Sequence, residues 1–158
     1  MAWNNSRIFR PFLADVLGNA AAFALATDTF RASLWDNDNT PDNDVTSANS
    51  AYGAGQWVAT GNEVTSPGEW DAGGVALASL SINSGTADVV FWDAADAASS
   101  AGATITNAYG VMVYDDTLAT PVADQGVCYN YLGGANSVTN GVFTVVWHAN
   151  GIFRITLA

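Results

Sequence analysis

Four sets of residues in this chain have the types and spacing to do chemistry. The run Asp36-Asn37-Asp38-Asn39-Thr40-Pro41-Asp42-Asn43-Asp44 has the oxygen density of a calcium loop. Its carboxylates could converge on a hard cation, which takes about six or more oxygens. It departs from an EF-hand at two positions: Pro41 stands where the turn glycine is needed, and Ser47 where a bidentate Glu belongs. Asp115-Asp116, and Asp93 with Asp96, could imitate the carboxylate pair of glycoside hydrolysis. Asp115-Asp116, however, lies where a strand must end and turn, a place where Asp side chains cap backbone. Adjacent strand residues also point to opposite faces, so the two cannot easily share a substrate. His148 is the only histidine, and no Gly-x-Ser-x-Gly elbow accompanies it. Six Trp, at 3, 35, 57, 70, 92 and 147, could stack on sugars. The first three sets read as a solvated turn, capped strand ends and an incidental imidazole. No metal, cofactor or catalysis is expected.

The charge balance narrows the partners. Thirteen Asp and two Glu face four Arg (Arg7, Arg10, Arg31, Arg154) and no Lys, a net charge of −11. A chain this acidic is not expected to bind nucleic acid or anionic membranes, because both are polyanions and there is no basic run to meet them. Like charges keep such particles apart in solution, and on a shell they would form an acidic outer face. The single Cys128 lies in a strand-like run and is expected to be a buried, inert thiol. The start lacks the basic-then-apolar order of a secretory signal, and no apolar run reaches the roughly 18 residues of a membrane helix. Assembly in a cytoplasm is the expectation.

These residues must be positioned by two kinds of element. Over residues 1–25, Ile8, Phe9, Phe12, Leu13, Val16 and Leu17 recur at three-to-four spacing, which suits an amphipathic helix or a docking arm. Pro11 fits a first helical turn and Gly18-Asn19 a stop. Over residues 26–158 the period becomes two. Phe30, Ala32 and Leu34 alternate with Thr29, Arg31 and Ser33, as in a half-buried strand. Residues 36–55 form a long loop. Val75–Ile82 and Ala87–Trp92 read as a strand pair joined across Asn83-Ser84-Gly85. Tyr109–Tyr114, apolar on both faces, belongs in the centre of a sheet. Further strands are expected near 126–132, 141–147 and 152–157. About eight short strands separated by turn signals predict an all-β, two-sheet β-sandwich, with a jelly roll as one arrangement of it. In the last hairpin, Trp147 is expected opposite Phe153 across the loop Ala149-Asn150-Gly151, so that both apolar rows enter one core.

The segments Thr40-Pro41-Asp42-Asn43-Asp44, Asn62-Glu63-Val64 and Trp70-Asp71-Ala72-Gly73-Gly74, with the closing run Phe143 to Leu157, resemble small β-rich structural proteins of tailed bacteriophages, of the head decoration and minor capsid kind. The resemblance spans about Phe30 to Leu157. It implies a protein that works by assembly: a capsid decoration (cement) protein on the virion exterior, bound to the major capsid protein as a homotrimer. A tail or head–tail junction component is the nearest alternative, and a carbohydrate-binding module a more distant one. Trp92 and Trp147 read as core anchors. Trp3, Trp57 and Trp70 sit in the terminus or in loops, as plugs or as interface anchors. Taken as anchors, they join Arg7, Phe9, Arg10, Phe12 and Leu13 in the expected contact surface, and residues 1–22 should then be dispensable for folding. From the acidic loop we expect little calcium dependence. Millimolar calcium should raise the melting temperature by less than roughly 5 °C, a shift worth about a kcal/mol in a domain this size. A larger rise in a thermal melt would restore the metal.

Overall fold

The computed structural model describes residues 2–86 and 88–157. The chain is all-β and sandwich-like, as the alternation predicts. Its large sheet runs β1 (Arg7–Ile8), β9 (Gly126–Gly141), β8 (Ala103–Asp115), β2 (Phe30–Trp35) and β3 (Glu63–Val64), with β4 (Val75–Ala76) also on β2. A smaller sheet has the order β11 (Phe153–Thr156), β6 (Val89–Asp93), β5 (Ser81–Thr86). A ribbon pairs β7 (Ala97–Ala98) with β10 (Thr144–Val145). Among the described residues these unequal sheets differ from the eight-stranded double Greek key of a jelly roll.

β8 is the spine, as its two-sided apolarity requires. Gly110 to Asp115 are all buried, with β2 antiparallel on one side (Phe30 opposite Asp115, Trp35 opposite Gly110) and β9 on the other. The two sheets meet where Phe30 of β2 packs on Trp92 of β6, ring centroids 4.8 Å apart. The expected first partner of the 75–92 pair is divided. Val75 and Ala76 join β2, and Ser81 to Thr86 form β5, which continues through Asn83-Ser84-Gly85 rather than turning there. Ala87, expected to begin the second strand, lies outside the described residues.

Two expectations are corrected by tertiary packing. The 141–147 and 152–157 segments do not form a hairpin. Their connection is a two-residue turn, in which Gly151 donates its N–H to the His148 carbonyl at 2.7 Å. Gly151 has φ +83, and a Cβ there would lie 2.3 Å from the Trp92 carbonyl oxygen, so glycine is required. The strands then part. Val145 pairs with Ala97, while Phe153 sits opposite Trp92. Each apolar row finds a better partner than the other: Phe143 packs on Trp70, and Phe153 on Trp92 and Phe12.

The N-terminal segment takes the helical of its two expected forms, and the second correction is of the docking arm that could be removed. β1 extends the large sheet, with Arg7 opposite Tyr129, and Phe9 donates its N–H to Val127 O at 3.0 Å. Helix α1 (Arg10–Leu17) follows with Pro11 in its first turn and Phe12 buried, and ends at Gly18 as expected. A polar knot holds it down: Asp15 Oδ2 accepts from Ser47 Oγ (2.8 Å) and from Gln125 Nε2 (2.7 Å). Trp3, Phe9 and Phe12, with Ile8, Leu13, Phe23 and Leu25 packed against them, thus share one hydrophobic core with the strands.

Loss of Trp3, Phe9 and Phe12 would remove three buried aromatics, each costing about 3–5 kcal/mol on truncation. That sum matches the whole stability of a typical domain, about 5–15 kcal/mol. Deletion of residues 1–22 is expected to abolish the cooperative thermal transition and the near-ultraviolet circular dichroism. A deletion variant that still melts cooperatively would show that the segment is dispensable after all.

Candidate interaction surface

Of the side chains expected to meet a partner, Trp3, Phe9, Trp57 and Trp70 are 0% exposed and Phe12 is 1%. This corrects their assignment as contacts, because a side chain filling its own core cannot also fill a neighbour's pocket. The Trp3 indole donates to the Asp36 carbonyl at 2.7 Å and meets Trp57 and Tyr129 edge-on. Phe9 lies between the same two rings. Trp57 packs on Trp35 with centroids 5.2 Å apart. Leu13 is half-buried against the core, and only Arg7 and Arg10 are exposed.

The acidic loop is spent on the N-terminus. Asp36 and Asp42 accept from the N–H groups of Asp38 and Asp44 in local turns. Asn37 accepts from Ala2 N, Asn43 O from Arg10 N, and Asp44 pairs with the Arg10 guanidinium. Arg10 thus finds its carboxylate within its own chain. Among the described residues no group of three or more His, Cys, Asp or Glu is placed to hold a metal.

Two further polar clusters are structural. Glu63 accepts from the Tyr52 hydroxyl (2.9 Å) and from Gly73 N (2.8 Å). Tyr114 stacks on Tyr52 and donates to Gly73 O (2.8 Å), while Arg31 donates to the Gly73 and Gly74 carbonyls. Burial pushes both phenols far above their usual range and raises the Glu63 carboxyl. Every member has a partner, so the cluster clamps the 71–74 turn to the sheet.

Asp115 is fully buried while Asp116 is exposed, so the two do point apart. Asp115 Oδ1 caps the strand end, accepting from Thr117 N (2.8 Å) and Leu118 N (3.1 Å). Of the other pair, Asp96 accepts from Trp147 N at 3.0 Å and Asp93 lies opposite Ser81 in the ladder. Cys128 is buried, and burial pushes its thiol up to about 12.

The exposed cations converge in a place the sequence did not indicate. A hollow of about 430 Å³ is lined by Arg7, Arg10 and Arg154, with Leu13 and Phe153. It shares Ser6, Asn130, Ile152, Phe153 and Arg154 with a second hollow of about 440 Å³, lined also by Tyr131, Val146, Trp147 and His148. Among the described residues no acidic side chain lines either one. His148 and Arg154 share a wall of the second hollow, through the turn and β11. Sequence spacing could not indicate the groove, since Arg7 and Arg154 lie at opposite ends of the chain. The one available signal was the scarcity of cations. No family model matches this chain, and neither a curated protein nor a solved structure matches it.

Burial, first, and then the Asp28 carboxylate raise Asp115 from 3.8 to about 6. Between those values the folded chain holds a proton that the unfolded chain releases. The contribution of this group is therefore full below pH 3.8 and lost as pH rises through about 6. Asp115→Asn keeps the capping oxygen and removes the titration. Its melting temperature relative to the native chain should rise between about pH 4 and pH 7.5. A difference that stays constant over that range would contradict the buried neutral acid.

Proposed function

We propose that this chain is a structural protein of a tailed-phage virion, most simply a decoration (cement) or minor capsid protein seated on the outside of the head. Its partner would be the major capsid protein, and its work is binding without turnover. The residues that carry the resemblance support this reading, and so does the rigid, aromatic-filled β-sandwich in which those residues act as turns and clamps.

The observation that carries it is the distribution of charge. In a chain of net charge −11, three of the four Arg line one groove into which, among the described residues, no acidic side chain is set. The rest of the surface repels other anionic particles, so contact is directed to a single side. A protein that binds the assembled shell and not free subunits stabilises the shell by mass action. Seating at the local threefold positions of a capsid would make a trimer the natural stoichiometry.

Purified virions of the phage that encodes the chain provide the test. Mass spectrometry of the particles and a cryo-EM map of the head are expected to show the protein in many copies outside the shell, between capsomers. Density confined to the tail or the head–tail junction would move the station. Absence from the particle would overturn the structural assignment.

A further inference from the structure

We propose that the groove between β1 and β11 receives an extended, acidic strand of a partner protein, adding it to the open edges of both sheets. The inference rests on the assembly reading above only in taking the partner to be a protein.

Both walls are sheet edges. β1 ends the large sheet at β9, and β11 ends the small sheet at β6. An edge strand presents a row of unpaired N–H and C=O groups, which an extended peptide can pair with. Proteins commonly blunt such edges, but β11 carries Ile155 at 39% exposure and is followed by Leu157 at 61%. Val146, 71% exposed, adds an apolar side chain to the wall of the second hollow. An occupant can thus bury side chains while its backbone extends a sheet.

Charge selects the occupant. The Arg154 side chain has no hydrogen bond or ion pair among the described residues, and the Arg7 guanidinium bonds only the carbonyl of its neighbour Ser6. Arg10 is held by Asp44 at the far end. Two guanidiniums therefore stand over an acid-free groove with no carboxylate of their own. Arginine in this state favours a carboxylate, with which it can form two parallel hydrogen bonds. A second copy of the chain fits poorly, because two bodies of charge −11 repel. A nucleic acid meets the same repulsion from all other sides.

The test uses the full chain and a fluorescein-labelled, terminally blocked hexapeptide of alternating Asp and Val, with a Lys-for-Asp analogue as control. Fluorescence anisotropy is expected to show binding of the acidic peptide that weakens between about 50 mM and 300 mM salt, and none of the basic one. Arg154→Glu should weaken it roughly tenfold or more, about 1.4 kcal/mol, and Arg7→Glu likewise, each variant keeping the native circular dichroism. Amide resonances of Arg7, Ile8 and Phe153 to Thr156 should shift and gain exchange protection. Equal binding of the two peptides, no binding at millimolar concentration, or shifts elsewhere on the surface would overturn the proposal. Retention on a glycan array lost in Trp147→Ala, without peptide binding, would overturn it in favour of a sugar site. Peptide binding by a protein absent from virions would leave the groove intact and remove only the virion station; the reverse result would remove only the groove.

Discussion

The indole of Trp3 lies over the backbone of Gly110, in the middle of the central strand, and much of the remaining structure is arranged around that seat. A Cβ at Gly110 would come within 2.2–2.4 Å of three ring atoms, so the close approach exists only because the strand has a gap there. Once seated, the indole supports an edge-to-face set of rings formed by Trp57, Tyr129, Phe9 and Trp35. Such contacts contribute about 0.5–1.5 kcal/mol each beyond the area they bury. They also draw the terminus onto the sheet, place β1 against β9, and pull the loop after β2 inward through the bond from Trp3 to Asp36. Trp3 is thus packed in the interior although its neighbours Asn4 and Ser6 are exposed.

That constraint redistributes the polar residues. The acidic loop, dense enough to suggest a metal, instead accepts the N-terminal backbone and Arg10. Glu63, Gly73 and Gly74, conspicuous as turn residues, meet in the clamp with Tyr52, Tyr114 and Arg31. Motifs that attract attention in the sequence are consumed by the fold. What they leave free is a groove whose cations come from both ends of the chain, one on each sheet edge. The assembly role proposed above would use a rigid body with such a groove. Rigidity limits the entropy lost on binding, and the acidic remainder keeps unbound copies apart.

Where the sequence was sufficient, the controlling interactions were local. Two-sided apolarity placed 109–114 at the centre of a sheet, because only a strand covered on both faces and paired on both edges can hide such a run. Pro11 and Gly18 bounded the helix through backbone sterics alone. Asp115 was legible as a cap because its acceptors' donors lie two and three residues away. Cys128 was legible as buried from the apolar run around it.

Where the sequence was not sufficient, the deciding partner was distant. Phe143 and Phe153 looked like one hairpin because pattern alone offers each strand only its neighbour; Trp70 and Trp92, about 60 to 75 positions away, took them instead. Trp3, Trp57 and Trp70 are large aromatics in irregular segments, equally suited to plug or to anchor, and burial by their own chain chose the plug. The groove was invisible for the same reason. Arg7 and Arg154 gain a joint meaning only when two sheet edges are brought side by side. Composition and periodicity determined the class of fold, the solvated acids and the poverty of cations, since these depend on each residue and its near neighbours. Which apolar row meets which, and where the few cations gather, was decided by tertiary structure, because long-range packing energy outweighs any local preference that the chain encodes.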